Sequence, residues 1–301
     1  MFWALLSGIG ACTNAAYYIA NKKFLERLDP NLLAASGFLC TALFLLVISC
    51  VSGIPVIGAQ FMIAVVATTL LNIIATTLTF RALRSSDISL SVPMLSFTPL
   101  FLILTAALLL GEFPSVIGIL GILTVVAGSY VLNTAAEHER ITDPFRDMIS
   151  HPGVMAMLVV AFLYAVAINF DKMVVQNSDP VFGSGVVFLL LGISFALIAV
   201  LGRSGSLPEC FLPTPPPGIS DNTPATFPSW QYLILAGILT GILITTEAVT
   251  INNAYLLQIV PYVIAIKRMS LIIVVLYGTI VFREKEIGRR IAGAVLILAF
   301  A

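Results

Sequence analysis

Charge is what this sequence has least of. Lys, Arg, Asp and Glu together make up 10% of its 301 residues, where soluble domains carry about 25%, so a water-facing surface of ordinary composition is excluded. Histidine is nearly missing: His138 and His151 are the two present, and both fall in one polar stretch. That leaves a serine nucleophile without its usual base, so "GSG" at 183–185 is not read as a protease motif. For the same reason "HER" at 138–140 lacks the second histidine of a helical zinc site. Cysteine is sparse. Cys12, Cys40 and Cys50 lie in apolar segments and Cys210 stands alone in a loop, so no disulfide framework is implied. No Gly-rich phosphate loop with its lysine occurs, which excludes ATP bound by this chain as an energy source. With 15 basic and 15 acidic residues the net charge is zero, and there is no nucleic-acid footprint. Neither an enzyme activity nor a cofactor is expected.

What the sequence has instead is apolar length. It is 59% hydrophobic, with a mean hydropathy of +1.06. Ten segments, each able to cross ~30 Å of hydrocarbon as a helix, run over 2–20, 31–52, 57–81, 88–110, 114–133, 153–175, 181–202, 230–256, 261–282 and 286–301. Lipid offers no partner to an open backbone, and the pattern is not the alternating one of a barrel, so these are helices. The first segment, closely followed by others and poor in N-terminal charge, is not a cleaved signal peptide. The last stops at "LILAFA" without a polar tail, as a shortened C-terminus would. Two stretches stay out of the membrane: a charged linker at 134–152 and a Pro/Gly/Ser/Thr-rich loop at 203–229.

The linker separates two sets of five segments that match each other. A shift of 150 lays "NKKFLERLDPNL" at 21–32 on "DKMVVQNSDPVF" at 171–182, superposing Lys22 on Lys172, Asp29 on Asp179 and Pro30 on Pro180. A shift of 172 then pairs Glu112 with Glu284, Gly121 with Gly293, Ala82 with Ala254 and Thr68 with Thr240. This is an internal repeat. Five is odd, so the second copy enters the membrane from the opposite side, which is the arrangement that lets a transporter expose one central site to each face in turn. The expected fold is an all-α membrane protein of ten transmembrane helices forming two inverted five-helix repeats, residues 1–133 and 153–301.

The five-plus-five segments, the "GE" after the fourth segment with a glycine nine residues on, and "NKK…DP" after the first resemble the drug/metabolite transporter superfamily, specifically its EamA-type members. The resemblance covers essentially the whole chain. The second copy departs from it, with Arg283-Glu284 in place of Gly-Glu and no counterpart to Pro99. The resemblance implies a central cavity lined mainly by the first, third and fourth helices of each half. It also implies a cargo such as an amino acid, an amine or a sugar-nucleotide-like solute, often moved outward.

The residues themselves offer such a lining. Ser7, Asn14, Tyr18 and Asn21 share one stripe of the first helix, and Thr68, Asn72, Thr76 and Thr79 one stripe of the third. Tyr164 and Asp171 take the places of Asn14 and Asn21 in the second copy. Such residues also serve as interhelical glue, and both readings stand at this point. Three charges lie inside apolar segments: Glu247, Lys267 and Arg268. Ionisable groups there cost ~2.5–3.5 kcal/mol each and face protein or water. Glu247 sits about nine residues before the short turn near 257–260 and Lys267 about six after it, at depths of roughly 14 and 9 Å, so the two can pair. Their counterparts, Ala75, Leu95 and Ser96, are uncharged, so the shared fold does not need them. They are expected to serve substrate or protons, with Glu247 the proton carrier if transport is proton-coupled. Against that stands snorkelling of Lys267 and Arg268 to the interface, and neighbouring helical residues point about 100° apart, so both cannot face one narrow cavity equally. Glu112 and Glu284 are expected to cap the helices that follow them.

Twelve of the fifteen basic residues, from Lys22 to Arg290, fall on one side of a ten-helix arrangement, and only Lys172 on the other. The positive-inside rule then places both termini outside, whereas the resemblance implies both in the cytoplasm. The function expected is secondary transport of a small polar or amphipathic metabolite in the cell (inner) membrane, by a monomer or homodimer whose partners are lipid, solute and protons. The alternative is a lipid-handling or scaffold protein whose polar stripes are only glue.

Overall fold

A computed structural model of the chain describes residues 1–85, 92–134, 152–203, 230–270, 273–274 and 277. Among them nine α-helices follow one another: α1 (Phe2–Leu25), α2 (Pro30–Ser52), α3 (Phe61–Ser85), α4 (Thr98–Leu110), α5 (Val116–Thr134), α6 (Pro152–Gln176), α7 (Pro180–Arg203), α8 (Trp230–Leu257) and α9 (Val260–Lys267). No strand occurs among the described residues. Helices α2, α3, α6, α7 and α8 are long and apolar enough to cross a membrane, and Leu43, Val47, Ile63, Leu108, Leu197 and Leu235 stand exposed along the helices. An outer surface of that kind is stable only against hydrocarbon, so this is an all-α, multi-pass membrane protein. The tenth expected segment, Glu284, the linker between α5 and α6 and the loop between α7 and α8 lie outside the described residues.

The repeated "DP" is a helix start in both places. Asp29 accepts the backbone N–H groups of Asn31 (2.9 Å) and Leu32 (3.1 Å) ahead of α2, and Asp179 accepts those of Val181 (2.6 Å) and Phe182 (2.9 Å) ahead of α7. The proline after each has no N–H to leave unsatisfied in the first turn and a φ already suited to it. Gly111 closes α4 in the left-handed region (φ 66°), where the N–H groups of Gly111 and Glu112 turn back to the Ala106 carbonyl.

Two expectations are corrected. The 88–110 segment is not one α-helix: a 3-10 turn at Val92–Phe97 leads into α4, which begins with Pro99 in its first turn. Pro99 has no N–H to offer the Leu95 carbonyl, which accepts the Thr98 hydroxyl instead (2.7 Å), so the α-helical ladder is interrupted here and the tighter turn precedes it. Glu112 does not cap the helix that follows it. Phe113 and Pro114 hold it too far ahead of α5, whose N-terminal cap is Ser115, accepting the Gly118 N–H at 3.1 Å. Glu112 instead accepts the Val260 N–H at the start of α9 (2.8 Å) and pairs with Lys172 of α6, which also donates to the Gln258 carbonyl (3.1 Å).

Close helix approach depends on small residues at two seams. A Cβ placed on Gly241 of α8 would stand 2.7 Å from the Cys40 Cβ of α2. One on Gly192 of α7 would stand 2.7 Å from Leu39 Cγ and 3.0 Å from its backbone N. Interiors of membrane bundles gain their stability from this backbone proximity, since lipid is as apolar as leucine. Thus α2 is held against both α7 and α8, leaving α1, α3 and α6 to surround the space between.

Candidate functional site

The polar stripe of α1 and the C-terminal half of α8 converge on one carboxylate. Glu247, with its side chain 13% exposed, lies 2.5 Å from the Lys267 ammonium. Asn14 of α1 donates its amide to both Glu247 oxygens, at 3.1 and 3.0 Å, and its own Oδ1 accepts the Ser270 hydroxyl at 3.0 Å. The short turn between α8 and α9 makes this pairing available locally, and α1 completes it from the other half of the chain. A carboxylate so placed has a cation and two amide contacts, so its burial is compensated.

A second network lies on the facing wall. Asp171 of α6 accepts the Thr68 hydroxyl at 2.5 Å, and Asn72 donates to both the Thr68 hydroxyl and its carbonyl at 2.9 Å. Deeper between α4 and α6, Asn169 donates to Thr105 at 3.0 Å; this contact is glue away from any opening. Asn252 of α8 donates to Ser184 of α7 at 2.6 Å, so the serine of the "GSG" stretch is held as a structural acceptor.

Between these networks is a cavity of about 210 Å³. Asn14, Tyr18, Asn72, Thr76, Tyr164, Asp171, Glu247, Lys267 and Arg268, the nine residues expected from sequence to line a pathway, all line it. Asn21 and Thr79 join them, whereas Ser7 turns away to the Trp3 carbonyl (2.8 Å) and Thr68 stands behind Asp171. The snorkelling alternative does not describe Lys267 or Arg268. Arg268 is only 4% exposed, and one of its nitrogens donates to Thr98 Oγ1 at 2.8 Å. Both side chains line the same cavity although Arg268, the C-cap of α9, keeps helical backbone angles and its N–H bond to the Ile264 carbonyl (2.9 Å), so the cavity is broad enough to be reached from two directions about 100° apart.

The walls also differ from those the family resemblance implies. The first and third helices of each half contribute, as does the fourth of the second half through Lys267 and Arg268, but so do the second ones, through Phe38 of α2 and Ser184, Val187, Phe188 and Leu191 of α7; no α4 residue lines the cavity. Sequence reasoning missed Tyr17, Tyr255, Asn252 and the phenylalanines. The adjacent Asn252 and Asn253 inside an apolar helix were the signal available for one of these; the phenylalanines carried none.

The described residues contain no group of three or more His, Cys, Asp or Glu side chains able to hold a metal. The cavity is suited to binding and releasing a small solute: it has a paired carboxylate, amide and hydroxyl groups, and aromatic walls.

Residues 1–134 match the family model of the EamA-like transporter family. No curated protein matches the chain. One solved crystal structure is similar over 99% of this chain and 94% of its own, with a TM-score of 0.68 and 16% sequence identity, a likeness of fold.

Proposed function

We propose, on the match of residues 1–134 to the EamA-like transporter family model, that the chain is a secondary transporter of a small polar or amphipathic metabolite. In this reading two inverted five-helix repeats rock about the cavity, exposing it to each side of the cell membrane in turn. The observation that carries the reading is the bridge from Asn14 through Glu247 to Lys267, which joins α1, α8 and α9 at the cavity wall. A scaffold would need no charged groups facing an internal space. Glu247 holds its cation by an ion pair that a solute can enter, and proton exchange, where it accompanies transport, runs through the same carboxylate. The aromatic walls suit an amino acid, an amine or a similar solute with an apolar part.

The test is flux in proteoliposomes carrying the purified full chain, with a panel of radiolabelled amino acids and amines. Glu247→Gln and Lys267→Met are expected to slow uptake or counterflow at least about tenfold, the equivalent of one charge-assisted contact. Cys12→Ala, an exposed α1 position, serves as the control. Unchanged flux in both cavity variants refutes the site assignment, and no flux of any solute refutes the transporter reading.

A further inference from the structure

The two cations at the cavity are not in equivalent states. Lys267 has Glu247, and Glu247 has in turn both amide contacts from Asn14, so that corner is balanced. Arg268 has no such partner. Among the described residues no carboxylate makes an ion pair with it; its hydrogen bond goes to the neutral hydroxyl of Thr98, which is itself donating to the Leu95 carbonyl (2.7 Å). The Tyr18 phenol lies beside it. Its Nε is buried with no hydrogen-bond partner, although the residue is 4% exposed and lines the cavity. Asp171, another carboxylate lining the cavity, is committed to the Thr68 hydroxyl of α3.

A guanidinium presents its donors in a rigid plane matched to two oxygens of an anion, and burying it without one is costly. Two features of the chain reduce that cost while the site is empty. The carbonyl end of α9 favours a cation at its C-cap position, which Arg268 occupies, and Thr98 fixes one nitrogen. Neither of these, nor the neutral Tyr18 phenol that also hydrogen-bonds the guanidinium, supplies a counter-charge or a partner for Nε. Among the described residues no anion does so, which leaves that role to what enters the cavity.

We propose that Arg268 is the docking group for an anionic oxygen function of the solute, so that the cargo is an organic molecule carrying a carboxylate or comparable oxyanion. This deepens the transporter reading and rests on it. The rest of the cargo lies against Tyr17, Phe38, Phe80, Tyr164 and Phe188, which fits a flat or apolar body. Glu247 adds little repulsion for the anion, because Lys267 and Asn14 already balance it.

The experiment is isothermal titration of the detergent-purified full chain with a matched pair of probes, 3-phenylpropanoate and 3-phenylpropanamide. They share shape and ring and differ in charge. The acid is expected to bind at least about tenfold more tightly than the amide. In Arg268→Gln that ratio falls to about one, and in Arg268→Lys, which keeps the charge but loses the planar fork, it is intermediate. Equal binding of acid and amide by the wild type overturns the anion assignment while the cavity stands as a solute site, and it does so even where Arg268→Gln fails to fold. Retention of the full ratio in Arg268→Gln overturns the assignment to Arg268. Binding of neither probe overturns both readings.

Discussion

Lys172→Met tests how the two halves of the chain are held at one end of the bundle. Lys172 is buried there and Glu112 partly buried, with side chains 6% and 13% exposed. The lysine also donates to the Gln258 carbonyl, and the second Glu112 oxygen accepts the Val260 N–H. Methionine keeps the stem but strands the Glu112 charge and leaves the Gln258 carbonyl without that donor. Removing one partner of a buried pair costs ~3–5 kcal/mol, and the carbonyl contributes up to ~1 kcal/mol within that figure. At ~2–4 °C per kcal/mol for a domain of this order of size, the midpoint falls by roughly 6–20 °C. The double variant Glu112→Gln/Lys172→Met strands no charge, and its glutamine carbonyl still accepts from Val260, so its loss is only ~1–2 kcal/mol. The assay is thermal unfolding in a single detergent, followed by intrinsic fluorescence, of wild type, both single variants and the double. A Lys172→Met shift under about 2 °C, or losses that simply add in the double variant, would refute the reasoning.

Packing and capping give further predictions. Gly192→Ala pushes a methyl group against the Leu39 side chain and its backbone N, and it is expected to destabilise by ~1–3 kcal/mol in the same melting assay; a neutral result would mean that the α2–α7 seam yields. Asp29→Ala and Asp179→Ala each remove two backbone acceptor contacts and should cost ~1 kcal/mol apiece. Because the two caps share no partner their losses should add, and unequal losses would show that the two helix starts are not energetically alike.

Much of the site was legible in the sequence because its residues were chemically out of place. Glu247 and Lys267 interrupt apolar runs on either side of a short turn, and helix rise alone brings them to compatible depths. Asp29-Pro30 and Asp179-Pro180 are local signals, complete within four residues, and both act as helix starts. What could not be read depended on approach at a distance. The partners Glu112 and Lys172 are 60 positions apart, and nothing local says that Glu112 will serve α9 and not α5. Phe38 and Phe188 gave no sign that they line the cavity, because a helix in lipid is apolar on its outer face and apolar where it packs, so hydrophobic periodicity no longer separates inside from outside. The breadth of the cavity was likewise invisible, and it is this breadth that lets Lys267 and its neighbour Arg268 line the same space.

The contacts of Asn14 with Glu247 and of Thr68 with Asp171 cross between the first five helices and those that follow. During synthesis, then, the early helices leave the ribosome with amide and hydroxyl groups whose acceptors have not yet been translated. Those groups wait in the bilayer, or beside the insertion machinery, for more than a hundred residues until their carboxylates arrive. A ribosome stalled before α6 would leave a fragment whose exposed polar side chains single it out for membrane proteolysis.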